Sequence, residues 1–211
     1  MTLPLRLRAS LMLAVIAVVL VVISALSNGY TKPRIVANER DAAMRQINQI
    51  VPRARYDNRP ANDFVVVSDP DLLGGSGTRR AFRAFHGGVP VAVILETVAP
   101  NGYSGPIRLL VGINADGRVA GVRVTAHRET KGLGDRIELA HSDWILGFDD
   151  HALGAPDEAR WRVRRDGGDF DQFTGATVTP AAVVQAVRDA LLYFRQHADE
   201  LLSAPPAKPD P

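Results

Sequence analysis

The chain has 211 residues, enough for one globular domain with accessory segments rather than two full domains. Its 25 basic and 23 acidic residues leave a net charge of +2, and signs so interspersed exclude the basic face that nucleic-acid binding needs. The absence of cysteine excludes disulfides, thiolate-held zinc, iron–sulfur clusters and a cysteine nucleophile.

Residues 9–27 are an uncharged run rich in Leu, Val, Ile and Ala. As a helix rising about 1.5 Å per residue it reaches roughly 28 Å, close to the hydrocarbon thickness of a bilayer. Arg6 and Arg8 precede it, which favours an inside N-terminus and sends the rest of the chain outside; Lys32 and Arg34 weaken that bias without cancelling it. The small residues Ala25 and Ser27 also suit a cleaved signal peptide, but the run is longer than the usual signal core, so a retained anchor is favoured. The expected division is a cytoplasmic segment 1–8, a transmembrane helix 9–27, a linker and first part of the exported domain 28–86, the main domain 87–202 and a disordered, proline-rich tail 203–211.

Residues 35–50 read as a helix with Ile35, Val36, Met44, Ile47 and Ile50 near helical spacing, stopped by Pro52. Residues 53–63 read as a loop, 64–67 as a short strand, and Gly74-Gly75-Ser76-Gly77 as a turn, since no Lys-Ser/Thr follows to make it a phosphate loop. A branched strand over 89–98 ends at Pro100-Asn101-Gly102. Residues 107–113 and 118–125 flank Asp116-Gly117 as a hairpin. Short helical stretches are expected around 137–140 and a last strand at 161–165. Thr179 then reads as an N-cap with Pro180 at the first helical position, opening a helix whose apolar face is Val183, Val184, Val187, Ala190, Leu191 and Phe194. Arg188 and Asp189 exclude it as a second membrane span. The fold class is α+β, a mostly antiparallel sheet with flanking helices.

The segment Asp171-Gln172-Phe173-Thr174-Gly175-Ala176-Thr177-Val178-Thr179-Pro180 carries the chemistry. It is a threonine-rich loop running into a capped helix, whose free N–H groups and partial positive charge favour an anion. Gly175 and Ala176 leave room beside the backbone. The residues alone favour an ordinary helix start with no ligand.

Asp171-x-x-Thr174-Gly175-Ala176-Thr177 resembles the flavinylation motif, Asp-x-x-Ser/Thr-Gly-Ala-Thr, of FMN-binding domains in respiratory membrane complexes. The resemblance implies one FMN, bound covalently through its phosphate to Thr177 by a flavin transferase that uses FAD and magnesium, with Asp171 recognised by that enzyme. Upstream, Tyr103-x-Gly105 and Val111-Gly112-Ile113-x-x-x-Gly117-x-Val119-x-Gly121-Val122 are similar to the same domain's core. His127-x-Glu129-Thr130-Lys131-Gly132-Leu133-Gly134 is similar to its His-x-Glu-Thr-Pro-Gly-Leu-Gly loop, which in the family lies against the isoalloxazine ring. That adds Glu129, Thr130, Gly132, Leu133 and Gly134 to Thr174, Gly175, Ala176 and Thr177 as cofactor-binding residues. Lys131 stands where proline is usual, Thr174 replaces the commoner serine, and Pro180 takes the place of a serine.

Covering roughly residues 87–195, the resemblance extends to the G subunits of the Rnf (Rsx) ion-translocating electron transport complexes. It implies an electron-carrying flavoprotein subunit in the bacterial inner membrane, single-pass, with its soluble domain on the periplasmic side. Its partners would be the other complex subunits, the flavin transferase during maturation and membrane lipid. No substrate is transformed by the chain itself, and neither a catalytic residue nor a metal ligand is assigned. A C-type subunit of the sodium-pumping NADH:quinone reductase, a stand-alone flavinylated carrier, and an exported binding or structural domain without flavin stand as alternatives.

Other residues read blandly. Asp149-Asp150-His151 lacks a second histidine at ligand spacing and reads as a solvated turn, as does Gly102-Tyr103-Ser104-Gly105. Trp144 and Trp161 suit packing better than flavin stacking. Arg162, Arg164 and Arg165 read as a solvated strand face, with docking of a partner subunit as the alternative.

Overall fold

Branched and aromatic residues at alternate positions build five strands: β1 (Phe64–Val67), β2 (Arg79–His86), β3 (Val89–Ala99), β4 (Ile107–Asn114) and β5 (Val119–Ala126). They form one antiparallel sheet in sequence order, β1-β2-β3-β4-β5. The computed structural model describes residues 12–14, 16–21 and 41–203.

Side chains alternate across the sheet and feed two cores. Ala92 and Ile94 of β3 with Leu110 of β4 face one way, where Ile47, Ile50 and Val51 at the end of helix α1 (residues 41–50) cover them. Val93 and Leu95 with Leu109, Val111 and Ile113 face the other way, under the long helix α2 (Val178–Ser203). There Val183, Val184, Val187, Ala190, Leu191 and Phe194 are all buried, the apolar face that helical spacing predicts. At His197 the backbone leaves helical geometry (φ −124°, ψ 16°).

Helix α1 comes unusually close to the sheet. Gly112 and Gly121 are paired across β4 and β5, and a Cβ on Gly112 would lie 2.2 Å from Ile50 Cγ2. The glycine pair makes a seat that any side chain would fill.

Several expectations change. Arg79–His86 is a full strand that the sequence reading passes over, because Arg83 points inward, 3% exposed, with its Nε donating to Asp63 Oδ1 at 2.9 Å. The strand expected at 161–165 does not form. Gly167 turns with φ +83°, and Arg164 N–H donates to the Phe170 carbonyl at 2.8 Å, so the segment spends its backbone groups on its own return stroke and makes only a single bridge, Val163 to Phe170. Trp161 and Val163 are nonetheless buried beside Phe148 and Phe170. The helical stretch near 137–140 is replaced by 3-10 turns over Gly134–Ile137 and Asp143–Phe148. Residues 41–50 of the helix expected at 35–50 are helical, and 35–40 lie outside the described residues.

Contacts divide the chain into two units, Met1–Ala42 and Ala43–Pro211. In the first, residues 12–14 and 16–21 are helical, and Met12, Leu13, Ile16, Val18, Val19, Leu20 and Val21 are exposed. Among the described residues no helix is long and apolar enough to cross a membrane. The expected cytoplasmic segment 1–8, the rest of the span 9–27 and the tail beyond Ser203 lie outside the described residues.

Candidate functional site

Three stretches far apart in sequence meet around a cavity of about 380 Å³: Tyr103 in the β3–β4 connection, Glu129 to Gly134 after β5, and Gly175 to Thr179 at the entrance to α2.

The second stretch is a tight turn. The Thr130 carbonyl accepts from Leu133, Gly134 and Asp135 N–H at 3.2, 2.9 and 3.3 Å, and Gly132 (φ +76°) donates its N–H to Asp135 Oδ1 at 2.8 Å. This turn pushes Leu133 outward, leaving a leucine 42% exposed at the cavity. Gly134 is needed for contact: a Cβ there would sit 2.9 Å from Glu129 Cβ and 3.1 Å from Thr179 Oγ1.

Glu129 is 5% exposed and ties the walls together. Its Oε1 accepts from Ser104 N–H at 2.9 Å, and its Oε2 accepts from the Thr179 hydroxyl. Its own N–H donates to His127 Nδ1 at 2.9 Å, which leaves the ring proton on Nε2, 2.5 Å from Glu138 Oε1. A buried carboxylate with both oxygens engaged is a brace between loops.

The third stretch turns at Gly175 (φ +82°), where Phe173 and Ala176 bridge and Ala176 N–H donates to the Phe173 carbonyl at 3.1 Å. Phe173, 2% exposed, is the anchor. Trp144 meets it edge-on at 5.1 Å, the Arg136 guanidinium lies 4.8 Å from its ring centre, and Trp144 Nε1 donates to the Asp171 carbonyl at 2.8 Å. The Asp171 carboxylate faces solvent and pairs with Arg164 Nε at 3.1 Å.

The helix starts two residues before the expected point. Val178 is the first helical residue and the Thr177 carbonyl accepts from Ala181 N–H at 3.4 Å, so Thr177 holds the N-cap position. Thr179, expected there, is 1% exposed and directs its hydroxyl at Glu129 instead. Thr177 is half-buried, and Arg165 Nη1 donates to its Oγ1 at 3.5 Å.

Of the residues singled out from sequence, Glu129, Thr130, Leu133, Gly134, Gly175, Ala176 and Thr177 line the cavity. Gly132 and Thr174 shape the two turns without lining it, and Asp171 stands apart with Arg164. Tyr103, 73% exposed, and Val178, 46% exposed, join the lining. The motif Tyr103-x-Gly105 is the sequence signal for the first, and the second lies within the Asp171–Pro180 segment without being singled out there. Trp161, 1% exposed, is core, and Trp144 supports the 171–177 loop from beneath. Asp149-Asp150-His151 is stitched to the β4–β5 hairpin: Asp150 N–H donates to the Val119 carbonyl at 2.9 Å and Val119 N–H to the His151 carbonyl at 2.8 Å. Burial raises the Asp149 pKa, and the nearby Arg123 pulls it the other way.

Two families match the chain: the FMN-binding domain over residues 102–192, which spans all three cavity stretches, and the RnfG N-terminal region over residues 6–50. The G subunit of the ion-translocating oxidoreductase complex of Pseudomonas aeruginosa is 50% identical over 197 residues, covering 93% of this chain and 92% of that protein. The proteins of the same name from Vibrio cholerae serotype O1 and Shewanella oneidensis are 46% and 43% identical over 195 residues, each covering 92% of this chain and 93% and 92% of their own lengths. With identity this high and coverage close to end to end, the chain belongs to the G-subunit family of the ion-translocating oxidoreductase complexes.

Proposed function

We propose that this chain carries electrons on an FMN joined through its phosphate to Thr177, as the membrane-anchored G subunit of an Rnf-type complex. The observation that carries the reading is the position of the Thr177 hydroxyl: at the acceptor place of the motif, on the rim of the cavity, at a helix start and beside a guanidinium. Each of these favours a phosphate ester there.

The residues present fit a flavin. Tyr103, Leu133 and Val178 are large apolar side chains left exposed around one cavity, which suits a flat aromatic ring. Gly175 turns at φ +82°, a conformation suited to glycine, and leaves the backbone bare of a side chain beside Leu133. When bound, FMN supplies one- and two-electron redox chemistry, and the chain's part is to hold and orient it and limit water. In maturation the Thr177 hydroxyl displaces AMP from FAD: an Oγ1–phosphorus bond forms, the pyrophosphate P–O bond breaks, AMP leaves with the bonding pair, and the hydroxyl proton passes to a base of the magnesium-dependent flavin transferase. Asp171, exposed on the outer side of the loop, is the feature the transferase reads.

The exposed apolar side chains of the helical residues 12–14 and 16–21 support an anchor over 9–27 surrounded by lipid, single-pass, with the FMN domain on the periplasmic side of the bacterial inner membrane. Intact-mass measurement of the full chain matured with its transferase tests the attachment. Wild type gains the mass of one FMN ester and Thr177→Ala does not; a wild-type mass equal to the bare polypeptide overturns the reading.

A further inference from the structure

Thr177 and Val178 also line a second cavity, of about 340 Å³, whose polar walls include Asn101, Arg165 and Gln185. Tyr103, Glu129 and Leu133 belong to the first cavity only. The acceptor hydroxyl therefore sits between a space edged by exposed apolar side chains and one whose polar edge is a cation, the Asp166 carboxylate and two amides.

The arginines nearby are not equivalent. Arg160 Nε donates to Asp169 at 2.8 Å, and Arg164 Nε lies 3.1 Å from Asp171. Arg165 has no carboxylate within ion-pair distance among the described residues, although Asp166 lines the same cavity. Its backbone N–H is fixed by Gln172 Oε1 at 3.3 Å, and its guanidinium makes one long contact, the 3.5 Å bond to Thr177 Oγ1. A neutral hydroxyl is a poor match for a cationic fork; a phosphodiester offers it two oxygens that share a negative charge.

We infer that Arg165 is the phosphate-positioning residue of the flavin site, turning the ester on Thr177 toward the second cavity so that the first is left to the ring. This rests on the attachment proposed above. Because the guanidinium gains its strong partner only on esterification, it stabilises the flavinylated chain and not the bare one. Lysine in its place keeps the charge but loses the two-pronged geometry.

The full chain, matured with the transferase, FAD and magnesium, is compared as wild type, Arg165→Gln, Arg165→Lys and Arg162→Gln, the last an exposed arginine that lines neither cavity. Two quantities are read: the 31P resonance of the phosphodiester and the rise in Tm from bare to flavinylated protein. Arg165→Gln is expected to move the resonance and remove at least about half of the rise, while its bare form melts within about 2 °C of wild type, as for surface substitutions generally. Arg165→Lys falls between, and Arg162→Gln matches wild type. A flavinylated Arg165→Gln with wild-type resonance and wild-type rise overturns the inference and leaves the attachment standing. If Arg165→Gln fails to mature, the lysine variant decides: a resonance and a rise identical to wild type overturn the inference, and intermediate values uphold it. A wild type without flavin on Thr177 overturns both.

Discussion

The Thr179 hydroxyl donates to the Glu129 carboxylate across 50 residues of sequence, fastening the start of α2 to the loop that follows β5. The other carboxylate oxygen holds Ser104 N–H at 2.9 Å. One buried side chain thereby joins all three stretches of the cavity wall.

Glu129→Ala leaves a buried hydroxyl and a part-buried N–H without partners. Urea unfolding should show a loss of about 2–6 kcal/mol, from about 1–3 kcal/mol for each of the two unsatisfied groups. Glu129→Gln keeps an acceptor for Ser104 and a polar group for Thr179, so it should cost less than about 1.5 kcal/mol. An alanine variant with the wild-type midpoint would show that the brace carries no stability.

Gly112→Ala drives a methyl to 2.2 Å from Ile50 Cγ2 and is expected to cost about 1–3 kcal/mol. Ile50→Ala alone costs about 2–5 kcal/mol through the cavity it leaves. In the double variant the new methyl enters the vacated space, so the combined loss should fall short of the sum by about 0.5–3 kcal/mol. Strict additivity in a double-mutant cycle would mean that the glycine serves something other than the seating of Ile50.

Burial raises the Asp149 pKa above its ordinary 3.8, so the folded chain holds this proton more tightly than the unfolded chain. The associated stability is complete below that ordinary value and is lost as pH rises through the raised one. Asp149→Asn has no such proton to lose. The stability of Asp149→Asn relative to wild type should therefore increase from pH 3.5 to pH 7, about the span of an acidic-to-neutral Tm series. A difference that stays flat, or moves the other way, contradicts the buried-carboxylate account.

Much of the sheet is legible in the sequence, and the failures have physical causes. β1, β3, β4 and β5 announce themselves through branched runs and the Asp116-Gly117 turn, where Gly117 takes φ +84°. β2 is hidden because an inward-facing Arg83 breaks the expected pattern, and its burial depends on partners brought by the fold, Asp63 from the neighbouring chain segment among them. Thr179-Pro180 has the local chemistry of a helix start, yet the partner that claims the hydroxyl is Glu129, which no local rule brings near. Arg165 fails similarly. Read as one of three cations on a strand, it is set apart once the segment folds into a turn that pairs Arg164 with Asp171 and brings Arg165 to Thr177.

The meander has a consequence for the order of assembly. Every strand of the sheet pairs with its neighbour in sequence, so the sheet is able to zip up from short-range contacts as the chain emerges. The cavity draws on residues 103, 129–134 and 175–179, and it acquires its last wall only when α2 docks. A chain cut short before residue 178 carries the sequence of every strand but lacks the Val178 and Thr179 wall, so a complete cavity reports that roughly the last sixth of the chain has arrived.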